Sequence, residues 1–333
     1  MFNKFLTKII FKYQLIRYPF LSNPTFVSIS ERVSLYKKAK ELCKTNTKDK
    51  ILIGEFGPFL GGTSIALAKG LESSIKTNQD WELHTYDAFE MRSDSDFFNL
   101  SLKLLERYKF TINDLEKIDR NTYSFENLFK KICKKICKNY KNIKSHKFLF
   151  EENKEVTDLK INNKNFDLVH VDLPKGMDIG IQILKSLEKN CSENVIFIFQ
   201  DFAYKWSYEL IAYVGILLEN GAKIEKMVGP SLYLNIQDSN MIKKVNEKYC
   251  ENKNNYESLI YSIRETEIYA DNIRLPELYL AKSLYEKNIL KNNLLFKETI
   301  SELEKKSNLI LSKKFVTSIL EVFKEEFTMK KSI

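Results

Sequence analysis

The sequence predicts an α/β fold, with a doubly wound and mostly parallel sheet followed by a helical C-terminal extension. Three observations support this prediction. Short apolar segments alternate with helical patterns from Ser30 to Ile236. The strand candidates are almost continuously apolar, as in a parallel sheet that is covered on both faces. After Gln237 only helical periodicity is left, with no convincing strand.

The predicted elements begin with a helix near Ser30, where polar and acidic residues precede an apolar face. Apolar segments then predict six strands, at 51–53, 81–86, 148–150, 166–171, 195–199 and 231–236. Helices are predicted at 63–71, 179–187 and 208–218, the last with Gly221 as its stop signal. The segment 94–147 is predicted to be mostly helical and polar.

We divide the chain into an N-terminal segment (1–28), an α/β domain (29–237) and a helical region (238–333). The 333 residues are 44% hydrophobic and 29% charged, which is typical of a soluble protein with a sizeable core. The first segment is basic and apolar, but it lacks the uninterrupted apolar run of a signal peptide. Its periodicity leaves two interpretations open: packing on the domain, or contact with a membrane surface. We therefore expect a cytoplasmic protein, with peripheral association at the inner membrane surface as the alternative.

Charge and cysteine usage narrow the choice of partners. The net charge of +9 suggests an acidic partner. The lysines from Lys130 to Lys147 are interleaved with apolar residues, which predicts an amphipathic helix whose basic face would attract a phosphorylated acceptor. No arginines accompany these lysines, so specific nucleic-acid binding is not expected. Five scattered cysteines predict reduced thiols. The sequence leaves a homo-oligomer open.

Glycine is scarce in the chain, and four of its 10 glycines fall between 54 and 62, where a strand passes into a helix. In α/β sheets this turn binds ligands, and glycine lets the backbone approach them closely. A P-loop would need a lysine where Thr63 stands. A dinucleotide site would need Gly-x-Gly-x-x-Gly, and the carboxylate of Glu55 would repel a pyrophosphate. S-Adenosylmethionine (SAM) carries no phosphate, and its amino and sulfonium groups are cationic, so Glu55 favours SAM.

The segment Glu55-Phe56-Gly57-Pro58-Phe59-Leu60-Gly61-Gly62-Thr63-Ser64 resembles motif I of class I SAM-dependent methyltransferases. It is similar in particular to the TylF-like (macrocin O-methyltransferase) and cephalosporin-hydroxylase-like branch. The resemblance extends over about residues 30–236 and includes the segments 86–89, 166–172 and 199–202. It implies a seven-stranded, Rossmann-like sheet with SAM as the cofactor.

The resemblance also implies roles for individual residues. Glu55 and the backbone at Gly57, Gly61, Gly62 and Thr63 would hold the methionine part of SAM. Asp87, after the second strand, would bind the ribose hydroxyls, with a helix cap as the alternative role. Glu152 and Asn153, after the third strand, would approach the adenine.

Catalytic residues are expected at the carboxyl ends of the fourth and fifth strands, where Asp172 and Asp201 stand. His170 shares a strand face with Asp172, and its alternative role is that of a buried strand histidine. An acceptor hydroxyl needs a base or a metal to remove its proton. The resembled branch has paired acidic residues at both ends, and one of each pair is missing here. This loss disfavours Mg²⁺, for which Asp172 and Asp201 would be the ligands.

The sequence therefore predicts a SAM-dependent methyltransferase that acts on a hydroxyl oxygen. The expected acceptor is a small molecule or glycan precursor, such as a sugar on a phosphorylated carrier, in surface polysaccharide synthesis. The alternative is a methyltransferase-like module that has lost catalysis and serves as a scaffold in glycan assembly. The loss of one acidic residue from each pair favours this alternative, whereas the intact glycine loop argues against it.

Overall fold

A computed structural model describes residues 13–148, 165–172, 177–252 and 254–310. Its centre is a seven-stranded sheet that confirms the predicted fold class. The large sheet consists of β1 (Lys50–Phe56), β2 (Asp80–Asp87), β6 (Ile143–Lys147), β7 (Phe166–Val171), β8 (Cys191–Phe199), β9 (Lys223–Val228) and β10 (Ser231–Ile236). A second, three-stranded antiparallel sheet is formed by β3 (Glu90–Arg92), β4 (Glu116–Lys117) and β5 (Thr122–Ser124).

The strands of the large sheet follow the order β6-β2-β1-β7-β8-β10-β9. All neighbours are parallel except the pairs that β10 makes with β8 and β9, so β10 is the antiparallel strand. From β1 the chain first adds strands on one side and then returns to add β7 on the other. The order therefore reverses between β1 and β7, and the carboxyl ends of strands at such a point form a crevice for ligands.

Helices cover both faces of the sheet. They are α1 (Ile29–Thr45), α2 (Gly62–Glu72), α3 (Asp96–Arg107), α4 (Glu126–Ile136), α5 (Met177–Leu187), α6 (Tyr208–Glu219), α7 (Asn240–Glu251), α8 (Tyr256–Thr266), α9 (Arg274–Asn288) and α10 (Asn293–Ile310). The helix predicted near Ser30 begins slightly earlier, because Ser28 is its cap. Ser28 and Glu31 form a reciprocal capping box that satisfies donors at the helix start.

The core consists of two hydrophobic clusters, and alternate residues of a strand contribute to different ones. Ile51 and Ile53 of β1 belong to the cluster that includes α1 and α2, whereas Phe56 belongs to the cluster that includes α5 and α6. This separation follows from the two-residue period of a strand. It also places Glu55 on the same side of β1 as Ile53, toward α2.

The C-terminal helices pack into the cluster that includes α5 and α6. Leu259 of α8 and Leu278 of α9 are fully buried in it together with residues of α5, α6 and the sheet. At Gly215 of α6 a Cβ atom would lie 1.8 Å from the carbonyl oxygen of Ser258, at the start of α8. Glycine is thus required there, because the backbones of the two helices almost touch.

The structure corrects three sequence predictions. The third strand of the sheet is 143–147 and ends before Phe148, because its residues pair in register with β2 from Leu83 to Asp87. The segment 94–147 is not mostly helical, since it contains β4, β5 and β6 besides α3 and α4. The lysine-rich run is not one helix either: α4 ends at Ile136, and the lysines that follow lie in a turn, in a short 3-10 helix (Tyr140–Asn142) and in β6. The strand β9 was not predicted from the sequence.

Glu152 and Asn153, the predicted adenine contacts, lie outside the described residues, as do 1–12 of the N-terminal segment and 311–333 of the C-terminal region. Along the part of the chain that the structure describes, no helix combines the length and the apolar character needed to cross a bilayer.

Candidate active site

A cavity of about 1020 Å³ opens at the carboxyl ends of the parallel strands. Residues from several elements converge on it because these strands end at one edge of the sheet. Its wall includes Gly57, Thr63, Asp87, Asp172 and Asp201, all of which the sequence predicted as site residues. The volume is at the upper end of the range for small-molecule sites and suits two ligands side by side.

The glycine loop between β1 and α2 forms one part of the wall. Gly57 has φ +85° and donates its N–H to the carbonyl of Tyr86, at 2.9 Å, which ties the loop to the end of β2. Gly61 has φ +83° and caps α2. A Cβ atom at Gly61 would meet the ring of Phe129 at 3.0 Å, and one at Gly62 would meet Thr25 at 2.4 Å. The absence of side chains at Gly61 and Gly62 therefore allows close packing behind the loop, and neither residue lines the cavity.

Glu55 lies beneath the loop and is fully buried. Its Oε2 atom accepts a short hydrogen bond from the hydroxyl of Ser64, and its Oε1 atom is 3.4 Å from Nδ1 of His170. The cause is the sheet register, which pairs Glu55 directly with His170 on the next strand. Glu55 thus anchors the start of α2 and is not part of the cavity wall.

His170 is also fully buried and lies outside the cavity wall. Its Nε2 atom is 3.0 Å from Oε1 of Gln200, a residue that does line the cavity. Burial by itself lowers the pKa of His170. The nearby carboxylate of Glu55, with Asp172 and Gln200, outweighs burial and raises that pKa above its ordinary value. The position supports the alternative role, a buried strand histidine, and gives it a function in linking β1, β7 and β8.

Asp87 ends β2 and organises two neighbouring backbone segments. Its carboxylate accepts the N–H of Phe59 at 3.2 Å and the N–H of Phe89 at 2.9 Å. Both phenylalanines have positive φ angles, 48° and 53°, which bulky residues rarely adopt without such support. Burial raises the pKa of Asp87 to about 6, and the charge of Glu55 acts in the same direction, while the N–H donors oppose it. Asp87 therefore caps the loop and reaches the cavity at the same time.

Asp172 and Asp201 follow β7 and β8 and line the cavity together. Asp201 has φ +57°, and its carbonyl accepts a hydrogen bond of 2.8 Å from the hydroxyl of Ser207. A non-glycine residue in this conformation is a form of strain that often marks a functional site. Within the described residues, no group of three or more His, Cys, Asp and Glu side chains could hold a metal ion. The residues present thus supply acid–base chemistry without an evident ligand set for Mg²⁺.

Aromatic residues complete the wall, and the sequence analysis missed them. Phe59 packs against Phe26 and Phe97 with ring centroids 5.5 Å and 5.3 Å away, and the latter two remain about half exposed. Tyr204 and Trp206 line another part of the cavity. Local periodicity gave no signal for Phe26, Phe59, Tyr204 and Trp206, because they lie outside the strands and α-helices, whereas Phe97 lies in the first turn of α3.

The charges of the cavity wall are mostly negative, in contrast to the chain as a whole. The described lining residues include the carboxylates of Glu31, Asp87, Glu90, Asp172, Asp201 and Asp271, and Arg274 is the cationic side chain among them. The lysines between Lys130 and Lys147 do not line it, although Nζ of Lys147 pairs with Oε1 of Glu90 at 2.6 Å. The cavity therefore favours cationic or uncharged ligands.

No family model matches the chain, and a search of curated proteins found no match. Among solved structures, the O-methyltransferase NovP is similar at 11% identity and a TM-score of 0.43, over 65% of this chain and 84% of NovP. CalS11, a TDP-rhamnose 3′-O-methyltransferase of calicheamicin biosynthesis, is similar at 14% identity and a TM-score of 0.42, over 71% of this chain and 93% of CalS11. The methyltransferase PaMTH1 of Podospora anserina is 15% identical with a TM-score of 0.36, over 68% of this chain and 85% of its own. All three are named as methyltransferases, the class that the sequence motifs resemble, but likeness at this level indicates nothing about activity.

Proposed function

We propose that the chain is a class I SAM-dependent methyltransferase that acts on a hydroxyl oxygen. One observation carries the proposal: the loop glycine Gly57 and the carboxylate of Asp87 meet at one cavity at the reversal point of the sheet. Thr63 stands at the same wall in place of the lysine that a nucleoside triphosphate would need. The site therefore suits a ligand with hydroxyl groups and positive charge and without a phosphate chain.

The residues present fit SAM in charge and in kind. The backbone at Gly57 and the side chain of Thr63 would hold its methionine part, and Asp87 would accept hydrogen bonds from the ribose hydroxyls. The excess of carboxylates around the cavity complements its positive charge. Glu55 contributes indirectly, because it fixes the first turn of α2 through Ser64. When bound, SAM supplies an activated methyl group.

The chain's own contribution to chemistry is to orient the acceptor and to remove its proton. Asp201 lies at the end of β8 on the cavity wall and is our candidate for the general base. Asp172 lies on the same wall at the end of β7 and would orient the acceptor hydroxyl. Both acids reach the cavity, and this observation favours an enzyme over the scaffold alternative.

We propose a sugar or glycan precursor as the acceptor, in surface polysaccharide synthesis. The sequence resemblance to the TylF-like branch supports this choice, and the half-exposed aromatic rings of the cavity are compatible with a sugar ring. The negative wall argues against an acceptor whose phosphate enters the cavity.

Calorimetric titration with S-adenosylhomocysteine (SAH) tests the cofactor. We expect binding in the micromolar range, about −8 kcal/mol. The variants Gly57→Ala and Gly221→Ala form a matched pair, because both residues have strongly positive φ, +85° and +100°. Only Gly57 lines the cavity, whereas a Cβ atom at Gly221 would meet one methionine carbon at 3.9 Å.

Both variants should lose similar stability, roughly 1–2 kcal/mol, because alanine is strained at positive φ. Only Gly57→Ala should also lose affinity for SAH. Equal SAH affinity in the two variants would show that the loop has no part in binding. No heat with the wild-type protein at millimolar SAH would remove the basis of the proposed function.

A further inference from the structure

A second group of cavity residues joins the segment after β8 to the C-terminal helical region. Tyr204 and Trp206 follow Asp201 in the chain, whereas Asp271 and Arg274 stand at the start of α9. The four side chains line the same cavity as the glycine loop. The helical extension thus contributes directly to the wall of the candidate active site.

The contacts between these two segments are specific. The guanidinium of Arg274 lies over the ring of Tyr204, 4.6 Å from its centroid. The backbone N–H of Lys205 donates to Oε2 of Glu277, one turn further along α9, at 3.0 Å. The first turn of α9 therefore holds the segment that follows the proposed base in a fixed position.

Asp271 is fixed in the same corner. Its Oδ1 atom accepts the N–H groups of Ile273 and Arg274, at 2.9 Å and 2.8 Å. Through these bonds the Asp271 carboxylate caps the first N–H groups of α9 and is held in one orientation. Within the described part of the chain, the guanidinium of Arg274 forms no ion pair, and its contact is the ring of Tyr204.

Trp206 supplies a large ring at this place. Its side chain is 45% exposed although it lines a cavity, and the ammonium group of Lys205 lies 4.1 Å from its centroid. A half-exposed tryptophan that lines the same cavity as a guanidinium and a carboxylate supplies the kinds of group that bind a sugar ring. The C–H groups of such a ring pack on aromatic surfaces, and its hydroxyls exchange hydrogen bonds with planar charged groups.

We propose that Tyr204, Trp206, Asp271 and Arg274 form the acceptor subsite and that it binds an uncharged sugar ring. This inference rests on the proposed function, which it deepens by assigning the acceptor side of the cavity to named residues. Arg274 donates to ring hydroxyls and Asp271 accepts from them, while Trp206 covers the apolar side of the ring. The surplus of carboxylates along the wall selects against an acceptor that is anionic at the ring.

Tryptophan fluorescence offers a local test, because the chain has 2 tryptophans and Trp81 is almost fully buried in the core. The difference in emission between the wild type and Trp206→Phe isolates the signal of Trp206. SAH-loaded protein is titrated with the methyl pyranosides of glucose, galactose, mannose and rhamnose, and with glucose 1-phosphate. Arg274→Gln is the test variant. Arg264→Gln is its matched control, because Arg264 also stacks on a tyrosine, Tyr261, but lies outside the cavity wall.

We expect a saturable change in Trp206 emission with at least one neutral pyranoside. Its affinity should fall roughly tenfold in Arg274→Gln, as expected for the loss of a charged hydrogen-bond donor, and stay unchanged in Arg264→Gln. SAH affinity should be the same in all three proteins. The subsite is overturned if SAH binds and none of the pyranosides changes the emission, or if both variants respond equally. If glucose 1-phosphate bound more tightly than the methyl pyranoside of glucose, the preference for an uncharged ring would be overturned. Absence of SAH binding would overturn the proposed function itself.

Discussion

At the scale of single residues, Asp87 combines two demands that oppose each other. Its carboxylate supports the strained backbone of Phe59 and Phe89 through their N–H groups. It also lines the cavity, where burial and the charge of Glu55 beneath the loop both disfavour its ionisation. Burial therefore raises the pKa of Asp87 to about 6, close enough to neutrality for its protonation state to depend on solution conditions.

The raised pKa of Asp87 predicts that the affinity for SAH decreases as the pH is lowered. The ionised carboxylate accepts hydrogen bonds from ribose hydroxyls, whereas the protonated group loses much of this capacity. We expect affinity to decrease by up to about tenfold for each pH unit below about 6. Calorimetric titrations across this range should show the decrease in the wild type and a weaker, nearly pH-independent affinity in Asp87→Asn.

The same group predicts the opposite trend for the stability of the ligand-free protein. The folded pKa of Asp87, about 6, lies above its ordinary value of 3.8, so the folded state holds a proton that the unfolded state releases. This contribution to stability is present at low pH and is lost as the pH rises through about 6. Comparing thermal unfolding of the wild type with Asp87→Asn isolates this contribution. An identical pH profile in both proteins would refute the assignment.

A substitution at Asp201 distinguishes an effect on catalysis from an effect on cofactor binding. Because asparagine tolerates positive φ as well as aspartate does, Asp201→Asn should keep the backbone and remove only the charge. We expect SAH affinity to be unchanged and turnover of the acceptor to fall roughly hundredfold, the effect of losing a general base. SAH formation with a sugar acceptor measures the rate. If turnover is unaffected, Asp172 becomes the candidate base.

At the scale of elements, the contact between α6 and α8 determines how the C-terminal region is attached. The carbonyl of Ser258 fills the space where Gly215 would otherwise carry a side chain. A buried hydrogen bond between Tyr213 and Asn246, at 2.8 Å, attaches α7 to a different face of α6. Two helices of the C-terminal region, α7 and α8, thus pack against one helix of the α/β part, α6.

Gly215→Ala should separate α6 from α8, since its Cβ atom would lie 1.8 Å from backbone that cannot rotate away. We expect a loss of about 3 kcal/mol in the free energy of unfolding, at the upper end for an overpacked site. Gly180→Ala is the control, because this helical glycine meets only the flexible sulfur of Met177, at 3.0 Å. Denaturant unfolding of both variants measures the difference. Equal stability would mean that the two helices adjust without cost.

At the scale of the whole molecule, one hydrophobic cluster joins the sheet to the C-terminal helices. Phe197 of β8, Ile216 of α6, Leu259 of α8 and Leu280 of α9 all belong to it, and all four are fully buried. The helical region also supplies Asp271 and Arg274 to the cavity. The stability of the fold and the shape of the cavity wall therefore depend on the same packing.

This shared cluster predicts that the chain unfolds as one cooperative unit. Thermal unfolding followed by circular dichroism and by tryptophan emission should give coincident transitions. A chain that ends at Gln237 would expose the apolar surface of α6, and we expect it to bind a hydrophobic dye and to lose the sharp transition. Two separate transitions in the full chain, or a cooperative truncated chain, would show that the α/β part is independent.

Local sequence patterns predicted the fold class, most strands and helices of the α/β part, and the turn between β1 and α2 as the candidate site. The strands 166–171 and 231–236 have the bounds that their apolar patterns predicted, and the glycines mark the turn that lines the cavity. These features depend on local periodicity and on backbone conformation, which neighbouring residues control. The sequence was less informative for β6 and β9, which have mixed patterns with lysines.

Only the tertiary structure decided which candidate residues reach the cavity. Glu55 and His170 share a register and face each other inside the protein, whereas Asp87, Asp172 and Asp201 lie where strands end and the wall begins. Periodicity assigns a residue to a face of its strand, but long-range packing determines what covers that face. For the same reason no local pattern could bring Tyr204 and Arg274 together, because their contact results from the docking of α9 on the segment after β8.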